Sequence, residues 1–260
     1  MPELRDRAAI RAILERDRAW AVYALGDLAP GFFEHCRWLR PESGAPALAL
    51  LYRAFKIPVL FTLGAPEALA ALLEEISGEP VLYLHVRPEI LPVLAARYGF
   101  PMRKQMWRMV LEPSAFHPVP SAGAVRLTAA DLGALRRLYA DGDATGEAPD
   151  FFSPSMLEQG VFQGIREGED LIAVAGTHLV APEVGVGAVG CVYTRRDRRG
   201  RGLATRVTSV VVSELLRLGI PTVALNVEQR NETAVRVYER LGFFRYCPYT
   251  EGLASRRQSS

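Results

Sequence analysis

The stretch CVYTRRDRRGRGLATRVTSVVVSELLRLG, residues 191–219, sets an apolar strand against a turn with two glycines and five arginines that opens directly into a long helix. A helix N-terminus offers unpaired backbone N–H groups and the positive end of a dipole, and Gly200 and Gly202 let a bulky diphosphate approach that backbone closely. The combination points to an anion site, although a lone glycine pair reads just as readily as a solvated arginine turn before an ordinary amphipathic helix. Two familiar phosphate loops are excluded by spelling. A P-loop needs the lysine of GxxxxGK[ST], which is absent, and a GxGxxG dinucleotide fingerprint fails because Gly200 and Gly202 are followed by Thr205.

Outward from that turn, the second half alternates its elements in a regular order. A helix over 128–141 precedes a loop rich in Asp, Gly and aromatics (DGDATGEAPDFFSP, 141–154) and a helix over 154–160. Strands follow near 162–166, 170–180 and 186–194, then a helix over 202–218, the strand TVALNV, a helix over 231–241 and closing strands. The first half follows a similar plan. Leu4, Ala8, Ile10, Ile13 and Leu14 recur at helical spacing within 3–25, and ALALLYRAF and IPVLFTLG read as strands. In GAPEALAALLEEISGEP, Pro66 stands near a helix start and Gly78 just past its end. VLYLHV is a strand, PEILPVLAARYGF a short helix closed by Gly99, QMWRMVLEP another strand, and PSAFHPVPSAGA a Pro-rich linker.

Two halves of similar order predict an internal duplication, with domains at 1–118 and 119–260. Setting Gly99-Phe100 over Gly242-Phe243 brings VLYLHVRPEILPVLAARYGF opposite TVALNVEQRNETAVRVYERLGF without a gap. At that register Pro88 stands against Asn231 and Ala95 against Tyr238, and the first half has no counterpart of RRDRRGRGLAT. Only the second half carries polar chemistry.

Composition bounds the alternatives. At 260 residues, 49% hydrophobic and 23% charged, the chain has the make-up of a soluble globular protein of two ordinary domains. It has no apolar run of the ~20 residues that span a bilayer, and the charged opening lacks a signal-peptide core, so no membrane partner and a cytoplasmic location are expected. Cys36, Cys191 and Cys247 are scattered and suggest neither disulfides nor a metal site. A net charge of +2 does not by itself imply nucleic-acid binding, and lysine occurs only at Lys56 and Lys104.

The spelling Arg199-Gly200-Arg201-Gly202-Leu203-Ala204 resembles the (Q/R)xxGx(G/A) loop of the GCN5-related N-acetyltransferase (GNAT) superfamily. Downstream, NETAVRVYERLGF resembles the NxxAxxxYxxxGF segment of the same superfamily, with Asn231, Ala234, Tyr238, Gly242 and Phe243 in place. Two motifs in the proper order are much more specific than either alone. The resemblance covers roughly residues 125–250 and implies an α/β (α+β) fold of two tandem GNAT-like domains. Each would be a mixed, mostly antiparallel central sheet flanked by helices, splayed at the cofactor site, the first a degenerate copy without a cofactor motif.

Carried over by position, the resemblance implies acetyl-CoA as cofactor and direct transfer of acetyl to a primary amine of a small molecule or peptide. Backbone amides from Arg199 through Gly200, Arg201, Gly202, Leu203 and Ala204 to Thr205 would hold the pyrophosphate. Cys191, Val192, Tyr193 and Thr194 would offer main-chain groups to the pantetheine arm, with the splay opening toward TVALNV and an N–H near Val192 facing the oxyanion. Tyr238 is the expected proton donor to the leaving sulfur, its alternative role being a buried aromatic with a capped hydroxyl. Asn231 is expected to cap a helix and to touch the cofactor. For the general base, His178, Glu183 and Glu228 are weak candidates beside a water chain, and none is chosen. The acceptor is assigned to the loop DGDATGEAPDFFSPSML, where Asp141, Asp143, Glu147 and Asp150 accompany Phe151 and Phe152; those phenylalanines could equally tuck into the core. A non-catalytic acyl-CoA-binding module is the alternative function, nucleic-acid binding by the arginine cluster ranks third, and a homodimer is left open.

Overall fold

The computed structural model describes residues 3–42, 44–143, 145–149 and 151–257. The chain divides into two compact units. The first runs to Arg108 and takes back Glu228–Arg230 and the chain from Tyr246 onward; the second comprises Met109–Val227 and Asn231–Arg245. The boundary expected near residue 118 is therefore interleaved: the last strand leaves the second half and belongs with the first.

In the first unit, α1 (Arg7–Leu14) and a 3-10 turn (Glu15–Asp17) lead to α2 (Val22–Gly26). The sequence pattern ran through 3–25 as one helix, but Trp20 breaks it. Its side chain is fully buried and its indole donates to Thr62 O at 2.8 Å, so the chain must turn to deliver it. Next come β1 (Cys36–Leu39), β2 (Leu48–Tyr52), β3 (Val59–Leu63), α3 (Pro66–Ile76), β4 (Val81–Val86), a 3-10 turn (Pro88–Ile90), α4 (Leu91–Ala95) and β5 (Tyr98–Leu111). Strands β1, β2 and β3 pair antiparallel, whereas β3 and β4 run parallel. Apolar residues of α3 (Leu69, Leu72, Leu73, Ile76) pack on inward positions of these strands (Leu60, Leu82, Leu84) to form the core.

The second unit begins with β6 (Ala124–Arg126), α5 (Leu132–Asp143), α6 (Met156–Gln159), β7 (Gln163–Glu167), β8 (Asp170–Ala181) and β9 (Val186–Thr194). It continues with α7 (Leu203–Arg217), β10 (Thr222–Glu228) and α8 (Glu232–Arg240), and the chain ends in β11 (Phe244–Arg256). Strands β6 to β9 form an antiparallel meander, and β9 pairs with β10 in parallel. The expected fold, a mixed and mostly antiparallel sheet flanked by helices in each of two like units, is what the chain adopts. In both units a meander ends in a parallel pair bridged by a helix, α3 in the first and α7 in the second. The physical reason for the interleaved boundary is that β11 pairs antiparallel with β4, from Thr250↔Val86 to Ser255↔Val81.

The Gly-Phe pairs that anchored the alignment differ in conformation. Gly242 has φ 101 and leaves α8 at a left-handed position, whereas Gly99 lies inside β5 with no positive φ. The two halves share topology there without sharing the helix exit.

Candidate functional site

Strand β9 carries a bulge near its carboxyl end. Its pairing with β8 passes from Gly176↔Gly190 to Val174↔Tyr193, leaving Cys191 and Val192 opposite a single residue, and Cys191 has φ 53. It is the one non-glycine residue with positive φ among those described. Such a bulge persists only when its surroundings hold it. Here the Tyr139 hydroxyl donates to Cys191 O at 2.9 Å, and the Cys191 thiol donates to Phe151 O at 3.3 Å. Burial pushes that thiol up to about 12, so it is a packed, protonated group. His178, in the matching irregularity of β8, lies flat over Gly190, where a Cβ would come within 2.4 Å of its ring.

Strands β9 and β10 part just before this bulge. The register runs from Thr222↔Val186 to Leu225↔Val189 and stops, although β9 continues to Thr194 and β10 to Glu228. The expected splay toward TVALNV is present. Two side-chain oxygens on these strands, Thr194 Oγ1 and Asn226 Oδ1, are buried without a hydrogen-bond partner among the described residues. Asn226 was not singled out by sequence reasoning, yet a lone amide in the apolar strand TVALNV was a usable signal.

The turn between β9 and α7 offers a row of donors. Gly200 has φ 77 and Gly202, the N-cap of α7, has φ 71 and ψ 10; α7 has no side-chain cap. Arg199 N–H donates to Arg196 O at 3.4 Å, and the next amide bonded to protein is Arg206, to Gly202 O at 3.1 Å. The N–H groups of Gly200, Arg201, Gly202, Leu203, Ala204 and Thr205 therefore find no acceptor among the described residues. No heavy atom lies within 4 Å of a Cβ built at either glycine, so both face open space. Alternating left-handed glycines at a helix start form a concave anion nest.

The arginines around the nest are largely occupied. Arg195 and Arg198 pair with Asp197 and Glu167, Arg196 with Asp141, and Arg199 with Glu147. The Arg198 hydrogen bond lowers the pKa of Glu167, and that of Arg199 lowers the pKa of Glu147. Asp141 accepts from Arg196 N–H at 3.0 Å and Tyr193 OH at 2.9 Å. Two acids assigned to the acceptor loop thus brace the nest instead. Asp143 is exposed, and Asp150 lies outside the described residues. Phe152 packs edge-on against Tyr139 and Phe162, whereas Phe151 is 43% exposed and meets the His178 ring edge-on.

Helix α8 carries the second motif. Asn231 Oδ1 accepts from Ala234 N–H at 3.1 Å, realising the cap, and the residue is exposed. Tyr238 is 7% exposed and packs edge-on with Phe243. Among the described residues its hydroxyl makes no hydrogen bond. Burial pushes it up to about 12, which keeps the phenol protonated. Among the base candidates, burial pushes His178 down to about 4, Glu183 is exposed, and Glu228 pairs with Arg230 at 2.8 Å.

Comparison with known proteins bears on the same residues. The family model described as "Acetyltransferase (GNAT) family" matches residues 132–243. A protein named mycothiol acetyltransferase from Geodermatophilus obscurus is 30% identical over 210 residues, covering 70% of this chain and 67% of the relative. The protein of that name from Streptomyces avermitilis is 38% identical over 97 residues, so the match spans only 30% of its length. A GCN5-related N-acetyltransferase from Kribbella flavida superposes with a TM-score of 0.61 at 19% identity, covering 93% of this chain and 95% of the other. A tandem GNAT protein of the clavulanic acid biosynthesis pathway does so with a TM-score of 0.55 at 14% identity, covering 99% and 98%. At those identities the structures speak for the fold.

Proposed function

The chain belongs to the GNAT acetyltransferase family, and on that premise we propose that its second unit transfers an acetyl group from acetyl-CoA to a primary amine. The observation that carries this is the run of open amides from Gly200 to Thr205, with two left-handed glycines, at the mouth of the β9/β10 parting. A pyrophosphate needs several N–H donors in a concave row, and a pantetheine arm needs a strand edge with free main-chain groups beside it. Both stand in one unit here.

Bound there, acetyl-CoA supplies an acetyl group activated as a thioester. The amides of Gly200, Arg201, Gly202, Leu203, Ala204 and Thr205 hold the pyrophosphate, while Arg199 braces the turn through Glu147 and Thr194 O. Cys191, Val192, Tyr193 and Thr194 present the edge of β9, and the bulge fixed by Tyr139 turns a main-chain N–H near Val192 toward the reacting carbonyl. A preorganised donor at that point stabilises developing negative charge by a few kcal/mol. Tyr238 donates to the departing sulfur. A phenol near 12 is a weaker acid than a thiol near ~8.5, so Tyr238 acts mainly by hydrogen bonding to the thiolate, and full transfer draws on the proton released by the amine. Asn231 caps α8 and sets where that helix begins.

The acceptor amine must arrive neutral, and the partly exposed Phe151 beside His178 forms one wall of its approach. With Asp141 and Glu147 paired to arginine, attraction of a cationic amine by those carboxylates is weak. The test is a melting-temperature comparison of acetyl-CoA with NAD and ATP at equal concentration, then an acetyl-transfer screen. Its acceptors are amino acids, polyamines, aminoglycosides, peptide N-termini and the deacetylated amine of mycothiol. Stabilisation by acetyl-CoA alone is expected; equal stabilisation by all three ligands refutes the cofactor assignment. Binding of acetyl-CoA with no transfer to any acceptor favours a non-catalytic acyl-CoA-binding module.

A further inference from the structure

The two faces of the second unit's sheet can be told apart at its parallel pair. A Cβ on Gly187 would meet Leu215 of α7 at 3.3 Å, so Gly187 faces α7, and so do Val189 and its partner Leu225, two residues on. Gly190 and Asn226, one residue further along each strand, lie on the opposite face.

That opposite face is floored by rings laid on glycine. His178 covers Gly190, where a Cβ would come within 2.4 Å of its ring, and Phe162 covers Gly176, where one would come within 2.3 Å. Two consecutive residues of the loop between α5 and α6 stand on this floor. Phe152 meets Phe162 edge-on at 6.0 Å, and Phe151 meets His178 edge-on at 6.2 Å. Phe152 is also packed against Tyr139 and belongs to the core, whereas Phe151 is 43% exposed. A lone exposed apolar residue needs no explanation. This one is anchored at both ends: its ring lies against His178, and its carbonyl accepts from the Cys191 thiol at the bulge. An uncovered apolar ring is thereby fixed next to the strand edge that faces the reacting carbonyl.

Little charge meets that ring. Burial pushes His178 down to about 4, so its imidazole is neutral at physiological pH. Asp141 is held by Arg196 and by Tyr193 OH, and Glu147 by Arg199 and Thr145. Asp143 is exposed, where salt screens it. Asn226, which β10 places on this face, is an uncharged amide. A polyamine or an aminoglycoside carries several positive charges, and two of the loop's three described acids already have arginine partners.

Resting on acetyl transfer by this unit, we propose that the acceptor is a monoamine on an apolar body, a phenylalkyl or branched alkyl group that packs against Phe151. The neutral amine forms the N–C bond to the acetyl carbon as the C–S bond breaks, and the proton it releases ends on the departing sulfur. An apolar body gains by leaving water in proportion to the area it covers, and an edge-on ring adds to that gain.

The experiment measures kcat/KM of the full-length protein, saturated with acetyl-CoA, on ethylamine, butylamine, hexylamine and phenethylamine, with spermidine and kanamycin in parallel. The expected result is a rise of about two- to fourfold per added methylene, with phenethylamine at the top. Spermidine and kanamycin should fall about 10-fold or more below it. Phe151→Ala should flatten the series, costing phenethylamine about 10-fold through KM and ethylamine less, with acetyl-CoA affinity and melting temperature unchanged. Phe151→Leu keeps an apolar body and should keep the slope. A flat alkyl series, equal or faster transfer to spermidine or kanamycin, or an unchanged slope in Phe151→Ala overturns the acceptor assignment and leaves acetyl transfer standing. No transfer to any amine, with acetyl-CoA bound, overturns both.

Discussion

Replacing Gly202 by alanine separates a structural role of the turn from a binding role. Gly202 sits at φ 71, ψ 10, a region that costs an L-residue roughly 1–2 kcal/mol. Because a Cβ there meets nothing within 4 Å, the backbone term is the whole expected cost to the free protein. For a chain of this size each kcal/mol lowers the melting temperature by roughly 2–4 °C. That loss cannot itself weaken binding, since a protein stable by ~5–15 kcal/mol stays folded after it. The new methyl does project into the space where a pyrophosphate must approach the amides of Gly202 and Leu203. Losing two hydrogen bonds to charged oxygens, each worth ~1.5–3 kcal/mol, weakens acetyl-CoA by about 10²-fold or more.

The assay pairs calorimetric titration of acetyl-CoA with a thermal scan of the same variant. Gly202→Asn is the control, because asparagine tolerates the left-handed region: it should keep most of the melting temperature and still lose affinity. A Gly202→Ala protein whose melting temperature falls as expected while its acetyl-CoA affinity changes by less than about threefold refutes the assignment of these amides to the pyrophosphate.

Tyr238→Phe should reduce kcat by about 10²-fold with acetyl-CoA affinity and melting temperature unchanged, because its hydroxyl bonds to no described group; unchanged turnover in a steady-state assay returns Tyr238 to a packing role. His178 is depressed from 6.5 to about 4, so the native state refuses a proton that the unfolded chain accepts. Its contribution is fully present above pH 6.5 and is lost as pH falls toward 4, on the order of 3 kcal/mol, and His178→Gln should flatten that part of the urea-derived stability profile. Asp27 runs the other way: burial raises its carboxyl from 3.8 to about 7, so the native state holds a proton the unfolded chain releases. Stability falls as pH rises through that window, and Asp27→Asn should raise the melting temperature at pH 8 but not at pH 3.5, on the order of a few kcal/mol at most.

The second half was legible because its signals are local. A glycine pair before a helix, an asparagine cap and a tyrosine at helical spacing each depend on neighbours a few residues away, and strands β7 to β10 lie within two residues of their expected bounds. What escaped was set by distant partners. The pairing of β11 with β4 joins residues more than 160 apart, and nothing in FRYCPYTEGLASR says which edge it will find. Likewise, Asp141 and Glu147 looked like free acids in an acceptor loop because their arginine partners lie more than 50 residues away. The left-handed Cys191 was invisible too: a bulge is a mismatch between two strands, and only the register of β8 against β9 reveals it.

Those ion pairs also decide what kind of anion site the turn can be. Arg195, Arg196, Arg198 and Arg199 are matched by Glu167, Asp197, Asp141 and Glu147, at half-buried to exposed positions on the surface, where a single pair contributes ~0–1 kcal/mol. Arg206 is turned to Ala122 O, and Arg201 has no ion pair among the described residues. A surface meant for a polyphosphate backbone keeps its cations unpaired so that each can displace a counterion. In this turn four arginines are tied into local ion pairs, while the amides from Gly200 to Thr205 have no acceptor among the described residues. On the function proposed above, such a site would select by donor geometry more than by charge density.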